Sequence, residues 1–431
     1  MRTTAWIILP FALLLLSSCF SSRVIESQPS IPVVDPIRTY LDTGTYVVKS
    51  NESPDTSFLD TDAPDQLRIG GERYDSIGMP DTCVSVDSLQ HTFDKLDSTA
   101  FLSMQKPDTL CIIGTGDIMP GTNYPDDRYL PPGNNCNLLF DPVDEILRSG
   151  DITFGNLEGV FCSEGGTAKK CNDPSVCYVF RMPDSYLECI LDAGYNLLSV
   201  ANNHVNDFGY EGRISTARLL EKAGVTYAGF QSKPSAILEK NGIVYGFAAF
   251  APHQGTMNLK DYEEAARIVG GLDSICDIVI VSFHGGAEGR DYQHVPCTDE
   301  EYLGYNRGNV CKFAHTVVDA GADVVFGHGP HVTRAMELYK GRLIAYSLGN
   351  FCTYARFNLS GPNGIAPIVK VYTDRKGQFL EGEIIPVFQP GEGGPRIDSL
   401  KRAIFMLQEL SRTDFPQSLL EIDDQGKMYV R

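Results

Sequence analysis

The chain has 431 residues, which exceeds one typical domain and leaves room for one large domain with appendages. Hydrophobic residues make up 42% and charged residues 21% of the sequence, as in globular proteins. The formal net charge of −19 argues against a nucleic-acid partner, because proteins that bind phosphate backbones need a basic face. Such acidity is typical of a well-solvated surface and identifies no partner by itself.

The N-terminus has the pattern of a bacterial export signal. Arg2 precedes an apolar segment at residues 5–16, which is shorter than the ~20 residues of a membrane-spanning helix. The motif LSSC, which ends at Cys19, matches the lipobox, in which cleavage leaves the cysteine as a lipid-modified N-terminus. We therefore predict a signal peptide at residues 1–18 and a location in the cell envelope, facing the periplasm or the exterior. Acylated Cys19 would then attach the chain to the membrane. An ordinary secretory signal followed by a chance cysteine is the alternative.

The segment at residues 19–107 lacks sustained periodicity and is rich in Ser, Thr, Asp and Pro, with more acidic than basic residues. This composition predicts a lipid-anchored, flexible acidic linker. From residue 108 the pattern changes to regular apolar runs. We therefore predict one large domain at residues 108–395, followed by a C-terminal extension at residues 396–431.

Short apolar runs, each followed by a polar cluster, define the large domain. Their length and β-branched content predict strands buried on both faces. The six runs are TLCIIGTGDIM (109–119), DITFGNLEG (151–159), NLLSVANNH (196–204), CDIVIVSFHGG (276–286), ADVVFGHGPH (322–331) and RLIAYSLGNF (342–351). Helical patterns that end at glycine lie between several of the runs and predict an α/β fold. They are DPVDEILRSG (141–150), DSYLECILDAG (184–194), GYEGRISTARLLEKAG (209–224) and EEYLGYNRGNVCKFAHTVVDAG (300–321).

The twelve cysteines have two predicted roles, since export permits disulfides. Cys162, Cys171 and Cys177, with Cys136 nearby, are expected to staple a loop, and none belongs to a CxxC pair. An odd number remains once Cys19 is acylated, which implies at least one free thiol. Four others lie in apolar or helical runs and are predicted to be small core residues: Cys111, Cys189, Cys276 and Cys311.

Polar residues converge at the C-terminal ends of the apolar runs, where open α/β sheets bind their ligands. These residues are Asp117, Glu158, Asn203, His204, His284, His328 and His331, joined by Ser347 and Asn350 from the sixth run. Carboxylate, amide and imidazole ligands without thiolates favour Mn, Zn or Fe. A carboxylate that bridges two ions would hold them ~3.5–4 Å apart. The sequence therefore predicts a site for one or two divalent metal ions.

The remaining histidines are assigned by their surroundings. His315 lies in a helical pattern and is expected to be structural, whereas His253 ends a further apolar run and is kept as a residue that supports the metal ligands or contacts substrate. His294 lies in the loop after His284 and is also expected to touch substrate. The residues expected to contact substrate or support the metal ligands are Asn156, Asn202, Asp207, Glu288, His294 and Asn350.

Six pieces of the sequence resemble the CapA family of capsule-synthesis (poly-γ-glutamate synthesis) proteins, which are related to calcineurin-like metallophosphoesterases. These pieces are GDIM, GNLEG, ANNHVNDFG, SFHGGAEG, GADVVFGHGPHV and YSLGNF, which span roughly residues 108–390 in the order seen in the family. The resemblance implies a metallophosphatase-like four-layer αββα sandwich. It also implies envelope attachment and a role in capsular polymer production, with an anionic polymer or its precursor as partner.

The resemblance assigns roles to the converging residues. His204 corresponds to the general acid. The implied metal ligands are Asp117, Glu158 as the bridging carboxylate, Asn203, His284, His331 and, with a departure in spacing, His328.

Two departures from the phosphoesterase pattern affect the metal site. The G-H-x-H motif is one residue longer here, so that His328 and His331 can face one site only if the chain turns at Gly329-Pro330. Met119 stands where the D-x-H motif has histidine, and a thioether is a poor ligand for hard divalent ions. We therefore expect one of two metal positions to be weakened or empty.

Three functions are compatible with these features. The first is an exported lipoprotein that acts in capsule or poly-γ-glutamate-type polymer biosynthesis through a metal-dependent hydrolase or transferase site. The second is a non-catalytic subunit that binds polymer for an envelope synthase or export complex, which the methionine at position 119 favours. The third is a cell-surface nucleotidase or phosphodiesterase.

Overall fold

The structure is a computed structural model that describes residues 108–171 and 177–431. The predicted signal peptide, lipobox and linker, at residues 1–107, lie outside the described residues. In the part of the chain that is described, none of the helices combines the length and the apolar character needed to cross a membrane.

Twenty strands form the sheets of the described region. They are β1 (Leu110–Met119), β2 (Ile152–Leu157), β3 (Val160–Phe161), β4 (Arg181–Met182), β5 (Leu197–Ser199), β6 (Thr226–Ala228), β7 (Ser235–Lys240), β8 (Ile243–Phe250), β9 (Ile278–His284), β10 (Glu300–Tyr302), β11 (Tyr305–Gly308), β12 (Val324–His328), β13 (Met336–Tyr339), β14 (Arg342–Ala345), β15 (Asn350–Thr353), β16 (Ile365–Thr373), β17 (Phe379–Phe388), β18 (Arg396–Ile397), β19 (Leu420–Ile422) and β20 (Lys427–Val430).

Seven α-helices lie between these strands in the described ranges. They are α1 (Asn137–Phe140), α2 (Asp144–Leu147), α3 (Tyr186–Asp192), α4 (Gly209–Ala223), α5 (Tyr262–Asp273), α6 (Val310–Asp319) and α7 (Arg402–Asp414). Helix α4 ends where Gly224 adopts a left-handed conformation, with φ of 70°, as the glycine in its predicted pattern suggested.

Two sheets carry the fold. The larger sheet has ten strands in the order β19-β20-β17-β16-β1-β2-β5-β6, with β15 beside β1 and β18 beside β17. Its strands β1, β2, β5 and β6 run parallel to one another. The smaller sheet has six strands in the order β13-β14-β12-β9-β8-β7, of which β8, β9, β12 and β14 are parallel. Each sheet therefore brings the carboxyl ends of several strands to one edge.

The sheets pack face to face through an apolar layer. Phe154 of the larger sheet stacks on Phe326 of the smaller sheet, with ring centroids 5.3 Å apart. Gly114 makes this approach possible, because a Cβ there would lie 2.4 Å from the ring of Phe326. Two further apolar clusters cover the outer faces: α1 and α3 pack on the larger sheet, and α5 and α6 on the smaller. The layers therefore form the predicted metallophosphatase-like αββα sandwich.

The six apolar runs all contain strands, although the sixth divides. Residues 342–345 form β14 in the smaller sheet, whereas residues 350–353 form β15 in the larger one. Between them Gly349 adopts a φ of 66°, which favours glycine, and the chain crosses from one sheet to the other. This crossing places Asn350 opposite Asp117 in the register of β15 with β1.

One helical prediction is wrong in its first half. Residues 300–321 were expected to be helical, but Glu300–Tyr302 and Tyr305–Gly308 form the hairpin β10–β11, and only Val310–Asp319 is helix. Leu303 and Gly304 both adopt positive φ, at 51° and 78°. A two-residue turn of this kind matches the twist of hairpin strands, and its positive φ values are incompatible with helix. The segment therefore forms a hairpin.

The cysteine assignments need correction. Cys136 pairs with Cys189 and Cys297 with Cys311, so that two residues assigned to the core as thiols form disulfides. The loop staple is Cys171–Cys177, and Cys162 is a buried free thiol outside it. Among the described cysteines, Cys111, Cys276 and Cys352 are also free. Cys136 and Cys189 are 53 residues apart, and local apolar patterns reveal neither this pairing nor that of Cys297 with Cys311.

The segment at residues 396–431 is continuous with the sandwich. Strand β20 pairs with β17, and β19 pairs with β20, which extends the larger sheet at one edge. Helix α7 buries Ile404 and Leu407 in the layer between the sheets. The expected C-terminal extension therefore contributes to the core.

A buried ion pair fixes the loop that follows β9. Arg334 is fully buried, and its Nη1 and Nη2 donate to the two carboxylate oxygens of Glu300 at 2.9 and 2.7 Å. The same guanidinium donates to the carbonyl oxygens of Ala287 and Tyr292. Glu300 in turn accepts from the backbone N–H of Ala287. The pair thus ties residues 287–300 to the smaller sheet.

We predict that Glu300→Ala lowers the free energy of unfolding by about 3–5 kcal/mol, because it leaves a buried guanidinium without its partner. Urea unfolding measures the effect. Glu409→Ala is the matched control, since it removes an ion pair with Arg412 in which both side chains are exposed, and it should change stability by less than about 1 kcal/mol. Equal effects of the two substitutions would show that the buried pair does not stabilise the loop.

Candidate metal centre

The larger sheet supplies two buried carboxylates to the centre. Asp117 lies in β1, and Glu158 directly follows the neighbouring strand β2. Asn156, opposite Asp117 in the register, donates through Nδ2 to Asp117 Oδ1 at 2.8 Å and to Glu158 Oε2. Both carboxylates are at most 1% exposed. Burial and the charge of Asp117 raise the pKa of Glu158.

The smaller sheet supplies imidazoles from the facing strand ends. His284 ends β9 and His328 ends β12, where the two residues are paired in register. Beyond β12 the chain turns at Gly329, with φ of 115°, and His331 itself adopts a φ of 57°. This turn brings both His328 and His331 to Asp117, with Nδ1 atoms 3.2 Å from Oδ1 and 2.8 Å from Oδ2, respectively. The extra residue in the motif is therefore accommodated by left-handed backbone.

Three side chains form a set that could hold a metal ion. Glu158, His284 and His331 each offer one ligand atom, and these atoms lie within 4.8 Å of one another. Glu158 Oε1 is 3.3 Å from His284 Nε2 and 3.9 Å from His331 Nε2.

The ligand atoms fit a cation. Glu158 Oε1 and both ring nitrogens of His284 are buried without a hydrogen-bond partner, which is costly unless a ligand satisfies them. One carboxylate oxygen and two imidazole nitrogens are a donor set suited to a divalent transition metal. Asp117 contacts Nδ1 of His331 and so orients the ring that presents Nε2.

His204 lies beside this set in a fixed orientation. Its Nδ1 is 2.7 Å from Asp207 Oδ2, and its ring packs on Phe180 with centroids 4.3 Å apart. Its Nε2 is 3.8 Å from Glu158 Oε1. Asn202 accepts from the backbone N–H of His204 at 3.0 Å. These contacts leave Nε2 as the atom that faces the metal set.

The histidines differ in charge because their surroundings differ. Burial opposes the charged form of His331, but the Asp117 carboxylate and then Glu158 raise its pKa to about 10. Burial and the neighbouring His331 lower the pKa of His284 well below its usual range. Burial likewise lowers the pKa of His253 to about 2. His284 therefore offers a neutral ring, whereas His331 keeps its proton in the metal-free protein.

A cleft of about 890 Å³ opens beside His204 and His331. Its walls combine aromatic rings with cationic side chains, and Glu288 is the only acid among the described residues that line it. The lining residues that carry rings or charge are Lys169, Lys170, Tyr178, Phe180, His204, His253, Lys260, Glu288, Tyr302, Tyr305, Arg307, His331, Arg356 and Phe357.

The structure brings most of the predicted site residues together. Asn203 and Asn350 line the cleft, and each has a buried side-chain oxygen without a partner. Asp207, besides its contact with His204, forms an ion pair with Lys169 at 2.6 Å. Glu288 lines the cleft and forms an ion pair with Arg307 at 2.8 Å. His315 contacts Glu337 beside the smaller sheet, away from the cleft.

His294 and Met119 lie apart from the centre. The side chain of His294 is 64% exposed and contacts Asp414 of α7 at 2.7 Å. The residues that line the cleft do not include it, so the structure places His294 outside the cleft in which a substrate contact was expected. Met119 is fully buried in the apolar cluster on the outer face of the larger sheet.

Several residues of the cleft were not predicted from the sequence. Lys169, Phe180 and Arg307 come from loops or a short hairpin, where no periodic pattern marks a functional residue. The adjacent lysines at positions 169 and 170 were the available signal, since they place two positive charges side by side in an acidic chain. For Arg307 the sequence offered no comparable signal.

The two facing sheets and the carboxylate–imidazole set at their edge define a metallophosphatase-like α/β protein with a candidate divalent-metal site. Residues 111–355 match the model of the family described as Bacterial capsule synthesis protein PGA_cap. This match covers more than half of the chain, and the chain belongs to that family. Membership supports a role in capsule polymer synthesis.

Two relatives illustrate the similarity. The capsule biosynthesis protein CapA of Bacillus anthracis is 26% identical over 301 residues, which cover 65% of this chain and 68% of that protein. The PGA biosynthesis protein CapA of Bacillus subtilis (strain 168) is 28% identical over 264 residues, which cover 57% of this chain and 63% of that protein. The chain thus spans about two thirds of the length of each relative.

Solved structures show a more distant likeness. A hypothetical protein from Thermus thermophilus is 17% identical with a TM-score of 0.40, and covers 65% of this chain and 100% of its own. A purple acid phosphatase from yellow lupin (Lupinus luteus) seeds is 10% identical with a TM-score of 0.35, and covers 69% of this chain and 55% of its own. Neither likeness carries an inference about activity.

We predict that Glu158→Gln removes most of the divalent ion bound by the protein, because the central oxygen of the ligand set is lost. Asp117→Asn should weaken the affinity by about 10–100-fold, since the orienting partner of His331 is changed. Metal analysis of the purified protein and calorimetric titration with Mn²⁺ and Zn²⁺ measure both effects. His294→Ala is the control and should bind metal as the wild type does. Wild-type affinity in Glu158→Gln would exclude this ligand set.

We predict that metal affinity rises with pH between about 7 and 9. His331 keeps its proton below a pKa of about 10, so an ion that binds Nε2 must displace that proton. Release of one proton gives about a tenfold gain in affinity for each pH unit.

Calorimetry of Mn²⁺ binding in two buffers of different ionisation enthalpy counts the protons released. His331→Gln should abolish both the proton release and the slope. A wild-type protein that binds metal without releasing a proton would contradict the assignment of His331.

Proposed function

We propose that this protein acts in the biosynthesis of an anionic capsule polymer through a metal-dependent hydrolase or transferase site. The observation that carries the proposal is the convergence of Glu158, His284 and His331, with His204 beside them, next to a cationic cleft that His204 and His331 line. Poly-γ-glutamate is the polymer we favour, because the relatives in Bacillus are named for capsule and PGA biosynthesis.

His204 is the residue we assign to proton transfer. Asp207 fixes its Nδ1, so that Nε2 faces the metal set and can deliver a proton to a leaving group. Lys169 contacts Asp207 from the cleft side and limits the negative charge next to the imidazole.

A divalent ion, of which Mn, Zn and Fe fit the donor set, would supply positive charge that stabilises an oxyanion developing at the reacting centre. The protein's part is to hold the substrate against Nε2 of His204. The rings of Phe180 and Phe357 stack on each other with centroids 5.0 Å apart and form an apolar wall there. Substrate held against this wall would be shielded from water on one side.

The envelope location belongs to the same proposal. A lipid anchor at Cys19 would keep the site at the membrane, where a synthase extends the polymer and where anchoring by acyl chains is stable. The support for this anchor is the sequence pattern at residues 1–19, together with membership of a capsule synthesis family.

The alternative is a non-catalytic subunit that binds polymer for an envelope synthase or export complex. The position of Met119 favours it, because the residue packs in the outer apolar cluster and leaves the three-residue set without the histidine of the phosphoesterase pattern. In this case the cationic cleft would bind polymer, and the metal centre beside it would have a structural role only.

We predict that His204→Ala lowers the rate of polymer cleavage or transfer by about 10²–10⁴-fold, because the proton donor is lost. Incubation of metal-loaded protein with poly-γ-glutamate, followed by chain-length analysis, measures the rate, and aryl phosphates test for phosphoesterase activity. His315→Ala is a matched control, since this histidine contacts Glu337 outside the cleft.

Complementation of a deletion strain separates the two functions. The catalytic proposal requires that His204→Ala and Glu158→Gln both fail to restore capsule. If both variants restore it, the protein acts as a binding subunit.

A further inference from the structure

The cleft has a charge opposite to that of the chain. The whole sequence carries a formal charge of −19, yet five cationic side chains line the cleft and Glu288 is the only acid among the described lining residues. The five cations are Lys169, Lys170, Lys260, Arg307 and Arg356. A cleft lined by one sign of charge raises the local concentration of ions of the opposite sign.

These cations come from the connections of both sheets and so form two walls of the cleft, which His331 of the metal set also lines. Lys169, Lys170 and Arg356 come from loops of the larger sheet, and the guanidinium of Arg356 lies 5.7 Å from the ring of Tyr178. Lys260 and Arg307 come from the connections that follow β8 and β9 of the smaller sheet. Both sheets contribute to the metal centre, as the contact between Glu158 and His284 shows.

Arg307 has an incomplete set of partners. It is 7% exposed, and its Nη2 contacts Glu288 Oε1 at 2.8 Å while its Nη1 donates to His253 Nε2 at 3.0 Å. Its Nε is buried and has no hydrogen-bond partner. A guanidinium deprived of water in this way is costly unless an acceptor completes its contacts. The position of Arg307 in the cleft lining indicates that this acceptor belongs to a ligand.

The element that carries Arg307 is rigidly attached. Arg307 lies in the hairpin β10–β11, whose first residue is Glu300 of the buried pair with Arg334. The disulfide Cys297–Cys311 joins the segment before this hairpin to helix α6. A side chain presented on such a support loses little freedom when it binds a ligand.

We propose that the cleft binds an extended polycarboxylate chain across the metal centre, with carboxylates on both walls and Arg307 as the binding residue of the smaller-sheet wall. This inference rests on the proposed function, because it assigns the polymer to the same cleft. A longer chain can place carboxylates against the cations of both sheets at once, so affinity should increase with chain length. Bonds in the interior of the chain, rather than at its end, then lie over His204.

The test measures binding of glutamate and of γ-linked glutamate oligomers of increasing length to the metal-loaded full chain. Wild type should gain affinity as the oligomer lengthens. Arg307→Ala should bind long oligomers about tenfold more weakly, as expected for the loss of a charged hydrogen-bond donor, and should bind single glutamate unchanged. Arg307→Lys should regain part of the loss. Arg290→Ala removes an exposed cation of the same loop that does not line the cleft, and should match wild type.

The outcomes separate this inference from the proposed function. Equal binding by Arg307→Ala and Arg290→Ala, with length dependence in wild type, would overturn the role of Arg307 and leave the proposed function standing. Wild-type protein that binds no γ-linked glutamate chain would overturn both. Tighter binding of polyphosphate than of the glutamate chain would overturn the carboxylate assignment. Urea unfolding of each variant shows whether a loss of binding reflects a loss of fold. If Arg307→Ala is unfolded, the folded variant Arg307→Lys takes its place: binding of long oligomers by Arg307→Lys at wild-type strength or with no preference for length would then overturn the role of Arg307.

Discussion

The structure depends on keeping two carboxylates, Asp117 and Glu158, side by side in a place from which water is excluded. Asn156 donates to both, but this single amide cannot compensate two buried negative charges. Imidazoles from the opposite sheet compensate part of this charge. His331 carries a proton because Asp117 and Glu158 raise its pKa. Glu158 Oε1 still lacks a hydrogen-bond partner. Burying this uncompensated negative charge is unfavourable, and a buried carboxylate is stabilised either by a metal ion or by a full set of hydrogen-bond donors. The edge therefore favours binding of a cation.

The αββα architecture is what allows this concentration of charge. Parallel strands end at one edge of each sheet, and the apolar layer between the sheets sets the distance between the two edges. The larger sheet therefore contributes carboxylates and the smaller one imidazoles, and neither could form the centre alone. Left-handed backbone at Gly329 and His331 completes the convergence, because it directs a second imidazole from the same strand end to Asp117.

The sequence predicted the parts of the site that follow strand periodicity and failed where long-range contacts decide. His204 and His284 lie beside Glu158, as their positions at or directly after the end of an apolar run suggested. His294 was expected near them because it is close in sequence, but Asp414, from a helix 120 residues later, holds it at the surface. Arg307 was missed for the same reason, because its partners come from other loops and its own segment had been given a helical pattern. Tertiary partners of loop residues, like disulfide pairings, leave no periodic trace in the chain.

The contrast between an acidic chain and a cationic cleft favours binding of the proposed ligand at the cleft. The net negative charge of the chain opposes a polycarboxylate elsewhere, because like charges brought together cost affinity, so the cleft gains selectivity as well as attraction. The buried carboxylates Asp117 and Glu158, however, lie close to the cleft-lining His331 and oppose an anion as long as no cation neutralises them. A divalent ion bound there would invert the local potential, since it is the largest charge in such a site. Metal and polymer should therefore bind with positive coupling, each raising the affinity for the other by the same factor.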